Sequence, residues 1–125
     1  MKEATFQTNF NRWLKYNWDQ TAKFELKICK EKSLPYSVLK QHQRDALKNE
    51  KVIFKIPDLG SQNPFDCFML HKVPGYVVIQ FYKHGEKKFY IINIKDFERY
   101  EKASPSKSIR EPEANNIAIV VGELK

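Results

Sequence analysis

The chain has 125 residues, 42 % hydrophobic and 14 % aromatic, which is enough apolar material for one packed core and too little length for two. That composition excludes a chain disordered over most of its length, and apolar runs such as residues 76–79 are far too short to span a membrane. Lys and Arg number 22 against 15 Asp and Glu, a net charge of +7 spread along the chain and not gathered into a tail, which favours a polyanionic partner such as nucleic acid.

The opening residues carry no charged-then-apolar leader, so the expectation is a cytoplasmic protein, cellular or encoded by a virus or phage and acting in its host. Cys29 and Cys67 are too few for a disulfide framework or a structural zinc site and read as reduced, strand-borne apolar residues. His42, His71 and His84 show no metal-ligand spacing.

Residues 3–16 read as an amphipathic helix, because Phe6, Phe10, Trp13 and Leu14 fall on one stripe. Residues 23–29 alternate with period two: Phe24, Leu26 and Ile28 share one face, and Lys23, Glu25, Lys27 and Cys29 the other. Ser33-Leu34-Pro35 reads as a helix start, with the helix running to about Asn49 and Val38, Leu39, His42, Gln43, Ala46 and Leu47 inward. Residues 52–56 and 65–70 suggest a hairpin with a longer loop between them. Residues 76–82 read as a central strand that turns at His84-Gly85-Glu86 into 89–94, and a short helix starts near Asp96. Residues 103–116, with Pro105 and Pro112, read as a surface loop, and 117–121 as a last apolar strand. The whole is one α/β (α+β) domain over residues 1–125, a sheet with helices packed on it.

Chemistry centres on Glu25-Leu26-Lys27. Residues two apart on a strand project from the same face about 6.6 Å apart, so a carboxylate and an ammonium converge on one small volume. A divalent metal on the carboxylate would leave Lys27 to hold a nucleophilic water or offset phosphoryl charge, and the Leu26 carbonyl is a further oxygen for a hard cation. The bland alternative is an exposed ion pair on a half-buried strand. Asp66, a carboxylate in an otherwise apolar strand, is costly unless paired or bound to a cation.

Phe24-Glu25-Leu26-Lys27, Leu34-Pro35-Tyr36-Ser37 and His42-Gln43 with Leu47 four positions on together resemble the core of PD-(D/E)XK nucleases, and within them the RecU-type Holliday junction resolvases. The likeness covers roughly residues 3–100, with its specific signal in 24–47. It implies a restriction-endonuclease-like mixed sheet flanked by helices, and Mg²⁺ (with Mn²⁺ able to substitute) bound by Asp66, Glu25 and the Leu26 carbonyl. Lys27 would position the attacking water, Gln43 would steady the site or touch a phosphate, and Glu3 would reach the metal through water. In that family the metal-binding Asp precedes the E-x-K strand. Here residues 16–23 are too short for the hairpin that carries it, so Asp66 implies a circularly permuted arrangement, with Asp58 the competing candidate.

Lys23, Lys30, Lys32, Lys40 and Arg44 flank the site in sequence and are candidate contacts to DNA phosphates. The resemblance implies cleavage of branched DNA, such as four-way junctions, by a homodimer. The alternatives are a non-catalytic nucleic-acid-binding module on the same fold and a nuclease acting on linear duplex.

Overall fold

The computed structural model describes residues 3–55, 67–70, 72–82 and 87–124. In chain order the elements are α1 (Glu3–Asn17), β1 (Lys23–Cys29), β2 (Ser33–Pro35), a 3-10 turn (Tyr36–Val38), α2 (Gln41–Lys48), β3 (Val52–Lys55) and β4 (Cys67–Leu70). They continue with β5 (Gly75–Phe81), β6 (Lys88–Asn93), α3 (Ile94–Ala103), β7 (Ser108–Arg110), α4 (Glu111–Ile117) and β8 (Val120–Glu123).

The main sheet has four strands in the order β1-β5-β6-β8. β1 runs parallel to β5, with Glu25 opposite Val77 and Lys27 opposite Ile79, whereas β5–β6 and β6–β8 are antiparallel. A parallel pair needs a crossover, and the chain supplies one that contains α2. All seven residues of β5 are buried, which is why that stretch reads as one apolar run without alternation. The fold is a mixed α+β sheet with helices on both faces.

Each face carries its own core. On one, Phe6 and Phe10 of α1 pack against Tyr76, Val78, Phe89 and Ile91, with Phe24, Leu26 and Ile28 of β1 at the margin. Several aromatic pairs there meet edge to face, Phe10 lying 5.3 Å from both Phe24 and Phe89. On the other face Leu39 and Leu47 around α2, Ile94 and Phe97 of α3, Ile109 of β7 and Ala114 of α4 cover Val77, Ile79, Tyr90 and Ile92. Among the described residues no helix is long and apolar enough to cross a membrane.

Four expectations need correction. The helix expected from Ser33 begins only at Gln41, because Leu34 and its neighbours pair with β7 as strand β2. His42 and Ala46 are therefore exposed, and the inward positions of α2 are Arg44 and Leu47. The expected surface loop 103–116 contains β7 and α4; Pro112 in the first turn and the acidic Glu111 and Glu113 are helix-start signals. The apolar run 117–121 divides, with Ile117 closing α4 and β8 beginning at Val120. Finally, β3 and β4 form the expected hairpin, but among the described residues they pair only with each other, as a two-stranded sheet apart from the main one.

Gly75 opens β5 on the face that receives α2, and a Cβ there would collide with the backbone of Leu47 near the end of that helix. Gly75→Ala should push α2 off the sheet and cost about 1–3 kcal/mol, read as a lower urea midpoint. An unchanged midpoint would contradict the seating of α2 described here.

Candidate functional site

The charged face of β1 is turned toward α2. Lys23 Nζ donates to the carbonyls of Ala46 (3.1 Å) and Asn49 (2.5 Å), capping the C-terminal end of α2, where carbonyls lack intrahelical donors. Two residues along, Gln43 Nε2 donates to Glu25 Oε1 at 2.9 Å. Lys27 Nζ lies 3.6 Å from the same oxygen. Gln43 Oε1 accepts the Lys40 backbone N–H at 2.9 Å, closing a capping box at the start of α2. Each end of the Gln43 amide thus makes one bond, which fixes its orientation and ties Glu25 to the start of α2.

Both contacts to Glu25 fall on Oε1, and among the described residues Oε2 has no hydrogen-bond partner. The side chains of Glu25 and Lys27 are 30 % and 18 % exposed, open enough for a ligand and sheltered enough to strengthen their interaction. Lys23 N–H bonds to Pro74 O and Cys29 C=O accepts from Tyr82 N–H, so the odd-numbered residues of β1 spend their backbone groups on the β5 side. By ladder alternation the carbonyl of Leu26 points away from β5, toward the outer edge of the sheet.

Arg44, expected at the DNA surface, is only 9 % exposed and is committed internally. Its guanidinium donates to the carbonyls of Leu39 and Tyr36 and to Glu98 and Glu101 of α3, and it lies 5.8 Å from the centre of the Phe97 ring. It therefore ties the segment before α2 to α3, and so fixes the helix that carries Gln43. Lys48 joins the same group through Glu98 at 3.1 Å. Lys23 is likewise engaged, by the end of α2, whereas Lys30, Lys32 and Lys40 are exposed.

Glu3 opens α1, which packs on the sheet face opposite Glu25. Asp66 and Asp58 lie outside the described residues, as do His71 and His84. Among the described residues no group of three His, Cys, Asp or Glu side chains could hold a metal ion. Cys29 is buried and its thiol donates to the Glu31 carbonyl; burial pushes its pKa up, which disfavours the thiolate.

Sequence reasoning missed three polar links. Lys23 caps a helix that lies 23–26 residues further on. Arg44 bridges to α3 over separations of 54 and 57 residues, which no local pattern reveals. Tyr90 and Tyr100 donate to Glu111 and Glu113 of α4, and a Pro-led acidic helix start was the one local signal available there. No family model matches the chain, and neither a curated protein nor a solved structure does so.

Burial acts to raise the pKa of Glu98, but hydrogen bonds and charges from Lys48 and Arg44 outweigh it and hold the carboxyl below its ordinary value of 4.5. A depressed carboxylate contributes stability that is fully present above that ordinary value and is lost as pH falls through the lower folded-state one. Acid unfolding followed by circular dichroism should therefore be less pH-dependent below 4.5 in Glu98→Gln than in wild type. Equal slopes would show that the Arg44 link is not coupled to stability.

Proposed function

We propose that the chain is a metal-dependent endonuclease hydrolysing DNA phosphodiester bonds, with branched DNA such as a four-way junction as its substrate. The observation that supports this reading is the convergence of Glu25, Lys27 and Gln43, from a strand and a helix far apart in sequence, with one oxygen of Glu25 left over.

The donor set fits a hard cation. Carboxylate and backbone carbonyl oxygens suit Mg²⁺ or Mn²⁺ and not zinc, and Glu25 Oε2, the Leu26 carbonyl and Asp66 as second carboxylate would hold the ion. Such an ion, when bound, supplies Lewis-acid stabilisation of charge on a phosphoryl oxygen. Gln43 holds Glu25 through Oε1, which would leave the other oxygen for the ion. The Lys27 ammonium stands beside that carboxylate, where it can orient a water for attack or offset charge on a non-bridging phosphate oxygen. Lys30, Lys32 and Lys40 are exposed and follow the site in sequence, so they are the lysines to take neighbouring phosphates. Symmetric cutting of a four-way junction calls for a two-fold homodimer.

A non-catalytic nucleic-acid-binding module is the competing reading. It is favoured by the use of Lys23 and Glu25 to seat α2, and by Glu25 being the sole carboxylate of that convergent group among the described residues.

The test is cleavage of a labelled four-way junction beside a linear duplex of matching sequence, with Mg²⁺ or EDTA, by wild type, Glu25→Gln and Asp66→Asn. The expected result is Mg²⁺-dependent cutting of the junction alone, reduced at least about a thousandfold in each variant, which corresponds to roughly 4 kcal/mol of transition-state stabilisation. Salt-sensitive binding with no cutting of either substrate by wild type would establish the binding module instead.

A further inference from the structure

At the far edge of the sheet from β1, a cavity of about 360 Å³ opens between the C-terminal half of α1 and the end of β8. Its size is within the range of small-ligand sites. Arg12, Trp13 and Tyr16 from α1 and Glu123 from β8 line it.

The α1 residues recur at the i, i+1 and i+4 positions of one helix face beside the buried stripe. Trp13 is half-buried, with one ring face stacked on Phe10 and its edge against Phe89, so it forms a rigid wall. Tyr16 is 76 % exposed and lines the cavity on the turn after Trp13. The Lys15 ammonium lies 5.8 Å from the centre of the Tyr16 ring. Arg12 is exposed, lines the cavity and makes no ion pair or hydrogen bond with any described residue. Glu123 adds an acceptor to the same wall.

A planar aromatic surface flanked by cations, with one acceptor for ring or exocyclic N–H groups, is the chemistry that receives an unpaired nucleobase and its phosphate. We infer that the α1–β8 cavity binds single-stranded nucleic acid, with a base stacked on Tyr16 against Trp13 and its phosphate on Arg12. The inference rests on the reading of this basic chain as a nucleic-acid-binding protein, but not on metal chemistry. The cavity lies against the face of the sheet opposite Glu25, so the two sites are separable by substitution.

The experiment is fluorescence anisotropy of a labelled oligothymidylate and of a labelled duplex, in EDTA so that cleavage plays no part, with wild type, Tyr16→Ala, Tyr16→Phe and Arg12→Ala. Tyr16→Ala should weaken the single strand roughly tenfold or more and leave duplex affinity unchanged, while Tyr16→Phe, which keeps the ring, should bind as wild type. Arg12→Ala should make the log–log salt dependence of single-strand binding shallower by about 0.7, the value of one phosphate contact. Wild-type affinity in both alanine variants, equal losses on both probes, or no single-strand binding by wild type would each overturn the inference. A protein that cuts junctions but is indifferent to Tyr16 overturns this inference alone. One that binds the single strand through Tyr16 but never cuts overturns only the nuclease reading.

Discussion

The seating of α2 on the charged face of β1 is the interaction on which the candidate chemistry depends. A strand with Lys23, Glu25 and Lys27 on one side cannot bury that side against apolar residues without leaving charges unpaired. The structure resolves the conflict with a helix whose own polar groups match: terminal carbonyls for Lys23, and the Gln43 amide for Glu25. Because Gln43 is in turn fixed by the start of its own helix and Arg44 ties that region to α3, the carboxylate of Glu25 is oriented through a chain of hydrogen bonds from the backbone outward. A carboxylate held this way is pre-organised, as charge stabilisation at the proposed site would require.

The same docking explains why a polar strand sits at the sheet margin. β5 and β6, buried on both faces, supply the apolar interior, and β1 closes one edge with its apolar half toward α1 and its charged half toward α2. Stability and candidate function thus use opposite faces of one seven-residue strand. Substitutions at Phe24 or Ile28 act on the α1 core, whereas substitutions at Glu25 or Lys27 act on the site.

The elements with strong periodicity were legible in the sequence. α1 and β1 follow their apolar spacing closely, and β5 follows its unbroken apolar run. The convergence of Gln43 on Glu25 was suggested by the family resemblance, and geometry alone would not have selected it over the other polar residues of α2. What stayed hidden depends on tertiary partners. Ser33–Pro35 carries a helix-start pattern, but β7 captures it as a strand, since a backbone ladder and the burial of Leu34 and Ile109 outweigh a local capping preference. Arg44 reads as surface charge because nothing local announces two carboxylates on a helix more than fifty residues away. The acidic opening of α4 was visible, but Pro105 and Pro112 made the stretch read as a loop.

Glu25 is either a cation ligand or only a clamp for α2, and a folding measurement separates the two. Thermal unfolding of wild type and Glu25→Gln, each in EDTA and in saturating Mn²⁺, needs no substrate. The substituted side chain still offers an oxygen to Gln43, so α2 stays seated, while the charge a cation needs is gone. A ligand that binds only the folded state raises its midpoint by mass action. Wild type should therefore melt several degrees higher in Mn²⁺ than in EDTA, with little or no shift in Glu25→Gln. Equal shifts in the two proteins, or none in wild type, would contradict a cation site at Glu25 and leave that residue as the clamp alone.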